Sequence, residues 1–171
     1  RILQGMGGPS SEPALTVRGQ KSGNYQFYGD YPIYTKIATK KIFDGGRFIN
    51  EEDIQQERKV IVIGERVLQE LFEKDEDPIG AYIRVGNVYF QVIGVHKLAQ
   101  GVSFDNDSAM FIPFTTYRTL YNTGELVSYL CVAAYDDADV VQVEKDIKAL
   151  LRNTHRAHPE DERAFGSFNL G

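Results

Sequence analysis

The alternation of apolar and polar positions changes most sharply between Gly46 and Val95. A polar, acid-rich lead-in (Asn50, Glu51, Glu52, Asp53) comes before the apolar run Val60-Ile61-Val62-Ile63. A short β-branched run of this kind predicts a buried strand, which Gly64 closes. Val67, Leu68, Leu71 and Phe72 then fall at i, i+1, i+4 and i+5, one face of a helix. After the acidic break at 73–77 and Pro78-Ile79-Gly80, the β-rich runs 82–85 and 88–95 predict a hairpin. Gly86-Asn87 joins them and supplies positive φ.

The flanking pattern adds further elements. Gly5, Gly7, Gly8, Pro9 and Pro13 make the first segment turn-rich. No Lys-Ser/Thr follows these glycines at phosphate-loop spacing, and the prolines oppose an immediate helix. Residues 15–19 and 25–28 read as two strands across a turn at Gly23-Asn24. Residues 34–43 fit a strand or a short helix, and Asp44-Gly45-Gly46 a turn. Residues 109–113 predict a strand ended by Pro113. Thr115 or Thr116 then caps a short helix over 117–121, which Asn122-Thr123-Gly124 stops. Residues 127–135 are apolar on both faces, which predicts a long central strand. Asp136-Asp137 caps a helix whose stripe is Val140, Val143, Ile147, Leu150 and Leu151. A polar tail (155–163) follows, and residues 164–170 suit a last strand. These elements predict an α+β fold with mixed or antiparallel sheets and a few packed helices.

Several short motifs occur in one order. They are Gly46-Arg47-Phe48, Asp53, Val62-Ile63-Gly64-Glu65, Leu71-Phe72, Pro78-Ile79-Gly80, and Phe90-x-Val92-Ile93-Gly94-Val95. Tyr28-Gly29-Asp30-Tyr31-Pro32 lies upstream; His155 and Phe165-Gly166-Ser167-Phe168-Asn169 lie downstream. The series resembles the extracytoplasmic core domain of MacB-like ABC transporter permeases, in the mechanotransmission (type VII) superfamily. The resemblance implies a domain hung between the first and second transmembrane helices of a bacterial inner-membrane protein. It implies a porter-like module from residues 1–40 and 116–171, lacking its first strand and helix, around an inserted Sabre-like module at 41–115. The function it implies is non-catalytic: the domain passes ATP-driven motion to substrate or to an adaptor. The implied partners are a second permease subunit, a periplasmic adaptor or other envelope protein, and indirectly a cytoplasmic ATPase domain. A lipoprotein-release or cell-division type of permease would share this architecture.

Composition and charge narrow the picture. The 171 residues include 42% hydrophobic and 25% charged side chains, ordinary for a globular chain. A net charge of −5, with only two adjacent basic pairs (Lys40-Lys41 and Arg58-Lys59), opposes nucleic-acid binding. No apolar run approaches the ~18 residues of a membrane span. The chain opens at Arg1 without an initiator Met and reads as a piece of a larger protein.

Candidate chemistry is sparse. His155 and His158 lack the helical spacing of a zinc motif, and Pro159 breaks the geometry. Asp105-Asn106-Asp107-Ser108 starts like a calcium loop, but Met110 and Thr116 stand where Gly and Glu are required. Cys131, the one cysteine, lies between Leu130 and Val132 as a small hydrophobe. Ser103 and Ser108 have no nucleophile elbow. Gly64 lacks the further glycines of a dinucleotide fingerprint. Arg47 suits a salt bridge or subunit contact, or else a loop locked through hydrogen bonds to carbonyls. No catalytic, cofactor-binding or metal-binding residue is therefore assigned, and no cofactor is expected. The 100–108 loop and the 155–163 tail are the expected contact regions. The alternative from another class is a soluble module that captures a ligand or peptide between two subdomains.

Overall fold

The computed structural model describes residues 5–6, 13–38, 40–98, 106–124, 127, 129–132, 134–135, 137–156, 158, 161 and 165–167. The elements run β1 (Gly5–Met6), β2 (Ala14–Arg18), β3 (Lys21–Tyr25), β4 (Phe27–Asp30), α1 (Tyr34–Ile37), β5 (Lys40–Ile42), α2 (Glu51–Gln55) and β6 (Val60–Gly64). They continue with α3 (Glu65–Leu71), β7 (Tyr82–Val85), β8 (Val88–Leu98), β9 (Met110–Pro113), α4 (Phe114–Tyr121), β10 (Leu130–Cys131) and α5 (Val140–Thr154). The expected last strand lies largely outside the described residues, as do residues 7–12 and 99–105. The chain forms two units, residues 3–132 and residues 1–2 with 133–171.

In the first unit an eight-stranded mixed sheet runs β3-β2-β7-β8-β6-β9-β4, and β5 pairs with β8. The β6–β8 and β4–β9 pairs are parallel; the others are antiparallel. Mixed pairing with helices packed on the sheet is the α+β class that the pattern predicts. Strand β6 is buried along its whole length, as its unbroken apolar run requires. Ile61 and Ile63 join a core with Phe27, Phe90, Val67, Leu71 and Tyr117. Val62 faces the other way, into a smaller core with Tyr34, Ile49, Ile54 and Phe111. A register shift between Ile61 and Val62 gives β8 one extra residue. The bulge explains how Val92 and Val95, at odd spacing, both reach the larger core.

Helix α3 follows β6 directly and is stitched to the β2–β3 hairpin. Tyr25 Oη donates to Glu70 at 2.8 Å, Lys21 Nζ donates to the Phe72 carbonyl at 2.9 Å, and the Arg18 guanidinium lies 4.1 Å from the Phe72 ring centroid. Arg18 also pairs with Glu76.

Four expectations need correction. The turn before β3 is at Gly19, with φ of +57°, and Gly23-Asn24 lie inside the strand. Gly23 is there because the Tyr25 ring folds over it; a Cβ would stand 2.3 Å from the tyrosine oxygen. The described residues of 127–135 do not form the long central strand expected. Only Leu130–Cys131 is extended among the described residues, and its partner is the two-residue β1. Apolarity on both faces did not translate into burial either: Val127, Leu130 and Tyr135 are exposed. Helix α4 begins at Phe114 without a side-chain cap. Its threonines reach across instead, Thr115 to the Ile54 carbonyl at 2.6 Å and Thr116 to the Arg58 carbonyl at 2.9 Å.

The fourth correction is in the second unit. Asp139, not Asp136-Asp137, caps α5, accepting from Val141 N at 2.9 Å and Gln142 N at 3.2 Å. Within the same unit Lys148 donates to Glu144 at 2.7 Å, and Ser167 donates to the same carboxylate. The predicted apolar stripe is present, yet no residue of α5 is buried.

A Cβ on Gly64 would stand 1.9 Å from the Asp107 carbonyl oxygen and 2.6 Å from its carbon, both backbone atoms that cannot swing aside. Gly64→Ala is therefore expected to cost about 3 kcal/mol. Gly86→Ala, at φ of +57° with open space around it, should cost about 1 kcal/mol. Urea midpoints of the two variants check the ranking.

Candidate functional site

Between the β5 turn and α2, the chain is held by one buried carboxylate. Asn50 caps α2 by accepting from Asp53 N at 2.9 Å, while Asp53 Oδ2 accepts from Asn50 N at 3.0 Å, a reciprocal capping box. Asp53 is fully buried. Arg47 supplies the fork: its Nη1 donates to Oδ2 at 2.5 Å and its Nη2 to Oδ1 at 3.0 Å. Nη1 also donates to the Phe48 carbonyl at 3.0 Å, so the arginine locks the loop mainly through a carboxylate and only once through a carbonyl. Arg58 Nη1 stands 3.7 Å from Asp53 Oδ1. Burial works to raise the Asp53 pKa, but the Arg47 fork and the Asn50 N–H overcome it and hold the group below the usual carboxylate range.

A second polar centre lies in the smaller core, around Phe111. The rings of Tyr28, Tyr34, Phe48 and His96 approach the Phe111 centroid within 5.3–5.7 Å. Lys40 Nζ sits 4.9 Å from the same centroid and 5.3 Å from that of Tyr34, a cation–π arrangement. The buried His96 donates through Nε2 to the Ala109 carbonyl at 2.7 Å, which sets its tautomer. At the far side, Tyr129 Oη donates to the buried Asp30 at 3.0 Å. Burial and then the Asp30 charge push the Tyr129 phenol well above its usual pKa. None of Asp30, Lys40, His96 or Tyr129 carries a local sequence signature. The reciprocal cap was legible as Asn50-x-x-Asp53, with Asp in place of the usual Glu or Gln.

The other sequence candidates separate in space. Asn106 closes its own turn, accepting from Ser108 N at 2.9 Å, and Arg66 N donates to the Asp107 carbonyl at 3.1 Å. This short piece is a structural anchor against the start of α3; Asp105 and the rest of the 100–108 loop lie outside the described residues. The His155 ring packs on Phe165 at 5.7 Å. Cys131 is half-buried in β10. Among the described residues no group of three or more His, Cys, Asp or Glu is placed to hold a metal, and no helix is long and apolar enough to cross a membrane. A shallow groove of about 280 Å³, lined by Gly45, Gly46, Arg47, Ile79, Gly80 and the 91–93 stretch of β8, borders the open part of the sheet. Its one cation, Arg47, is already engaged by Asp53.

A buried ionic lock, an aromatic interior and a mixed sheet define a closely packed α+β module. The profile of the MacB-like periplasmic core domain matches residues 7–150, and the chain belongs to that family. It is thus the extracytoplasmic domain of a MacB-like ABC transporter permease. It is 34% identical over 167 residues to the macrolide export ATP-binding/permease protein MacB of Bdellovibrio bacteriovorus, covering 92% of this chain and 25% of that protein. It is 36% identical over 120 residues to the pyoverdine export ATP-binding/permease protein PvdT of Pseudomonas syringae, covering 68% and 18%. The chain therefore spans about a quarter or less of the length of these curated relatives. The periplasmic region of MacB from Actinobacillus actinomycetemcomitans superposes with a TM-score of 0.75 at 25% identity, over 90% of this chain and 67% of that one. The extracellular domain of the Gram-positive transporter YknZ shares the fold, with a TM-score of 0.74 at 19% identity over 93% and 78%.

Asp53→Asn is expected to destabilise the domain by about 2–4 kcal/mol at neutral pH, because the Arg47 fork loses its charge partner. The folded Asp53 pKa lies below its unfolded value. Its contribution is present above the ordinary carboxylate range and lost as pH falls through the lowered value. The gap between parent and variant should therefore close on acidification, as read by urea unfolding at a series of pH values. Tyr129→Phe removes one donor to Asp30 and should cost about 1–2 kcal/mol in the same assay.

Proposed function

We propose that this domain is a non-catalytic part of an exporter, passing motion driven by cytoplasmic ATP hydrolysis to a periplasmic adaptor, another envelope protein or the substrate. In this reading two permease copies open and close, and the ATPase domain acts on this domain through membrane-spanning segments that flank it. The observation that carries the reading is the match along 92% of the chain to an exporter permease.

The mechanics support it. Strands β1 and β10, near the two ends of the 3–132 unit, are hydrogen-bonded to each other, Gly5 opposite Cys131 and Met6 opposite Leu130. A displacement imposed on one is shared by the other. The sheet of this unit is close-packed on both faces of β6, a packing that resists bending there. Such a role needs stiffness and exposed contact surfaces and uses no reactive side chain.

The test uses the full-length permease in membranes, with Cys131→Ser and a spin label at the exposed Lys74→Cys position. Two copies per transporter should give an inter-label distance distribution that differs between the nucleotide-free and ATP-bound states. A single unchanged distribution, or no dipolar coupling between copies, would overturn the reading.

A further inference from the structure

The eight-stranded sheet is covered unevenly. On the larger-core side, Thr16, Ile83, Val85 and Phe90 are all buried. On the opposite side the smaller core covers β6, β9 and the end of β8, and the cover stops at the Gly45–Arg47 turn. Beyond it the outward positions of β2, β7 and β8 stand open.

Register fixes which residues share that face. Val17 lies opposite Arg84, Arg84 opposite Tyr89, and Tyr82 opposite Gln91. Directly opposed residues project to the same side of a sheet. Leu15, two residues from Val17, joins them. Leu15, Tyr82 and Tyr89 are 52%, 59% and 62% exposed, far above the core residues that alternate with them. The edge strand β3 adds only Ser22 and Asn24, opposite Val17 and Leu15.

One charge sits in this patch. Arg84 stands between the two tyrosines and donates to the Gly86 carbonyl at 3.0 Å, one of its five N–H donors. It makes no ion pair with any described residue. No acidic residue occupies an outward position of β3, β2, β7 or of β8 up to Ile93. Arginine and tyrosine in one patch are the residue types that dominate protein-binding hot spots. Strands ~4.8 Å apart make the patch roughly 15 Å across, the size of a hot-spot cluster within an interface.

The geometry points to this Tyr82–Arg84–Tyr89 face as a docking surface for a protein segment that presents a carboxylate flanked by apolar side chains. The carboxylate pairs with Arg84, and the apolar flanks cover the two tyrosine rings, Leu15 and Val17. A second copy of this chain is the wrong occupant, because the same face brings another arginine and no acid. The inference rests on the proposed function, for which it names the contact surface and the chemistry of the partner.

The experiment reads docking alone, without nucleotide. A photoreactive benzoylphenylalanine is placed at 82, at 89 or, as a control, at the exposed Gln55 of the full-length protein, in the cells that make it. Irradiation should give an adduct with a different protein from positions 82 and 89 and not from 55. Peptide mapping should place the link beside an Asp or Glu. Arg84→Glu should lower the adduct at least tenfold with unchanged urea stability, and exchanging the mapped acid for Arg should restore it. No adduct at either position overturns the proposal. So does an adduct with a second copy or with lipid, or one indifferent to Arg84→Glu. A working nucleotide-dependent motion without this adduct would leave the transmission reading intact and reject the surface.

Discussion

Strand β6 has no side that faces water. All five of its residues are buried, so the chain must supply a packed layer for each face of the sheet at this point. On one face the supply is local: α3 follows β6 immediately and folds Val67 and Leu71 back over it. On the other it is remote, drawn from Tyr34, Ile49 and Ile54, earlier in the chain. Much of the architecture follows from this double burial. The β8 bulge keeps Val92 and Val95 on one side, and the absence of a Cβ at Gly64 lets the Asp107 backbone close against the strand end.

The smaller core is where polar groups enter the interior. Burying an ionised carboxylate is unfavourable unless it is paired and hydrogen-bonded. Asp53 meets both conditions through Arg47 and Asn50, and it converts a turn without regular structure into a fixed cover for Val62 and Phe111. Asp30 and Tyr129 do the same at the other side, tying the 129–131 segment to the end of β4. Lys40 is kept beside Phe111 by ring faces that accept a cation. The Asp30–Tyr129 and Lys40–Phe111 contacts join segments distant in sequence, while the Arg47–Asp53 pair fixes its own turn.

The layer is incomplete, and the gap is as informative as the packing. The β2–β7–β8 face stays open, with Leu15, Tyr82 and Tyr89 exposed around Arg84, and Arg47 of the ionic lock lines the groove that borders it. Helix α5 poses a different case: its stripe is half-buried at Val143, Ile147 and Leu151 and exposed at Val140 and Leu150, and the sequence pattern that predicts it says nothing of what it packs against.

Where local period and turn chemistry agree, the residues alone determined the element. The β6-Gly64-α3 unit, the β7–β8 hairpin and α5 were legible because each is written within a few residues, and the ordered motifs carried the family. Tertiary structure decided the rest. Gly23-Asn24 became strand because the Tyr25 ring needed the space. Leu130–Cys131 pairs with Gly5–Met6, a partner more than 120 residues away that no pattern within 127–135 announces. Thr115 and Thr116 became cross-links because α2 lies within reach. The burial of Asp30, Lys40 and His96 depends on partners that no local window contains, whereas Asp53 finds Arg47 and Asn50 within six residues. Periodicity reports which side of a segment avoids water; only the folded chain decides what meets it there.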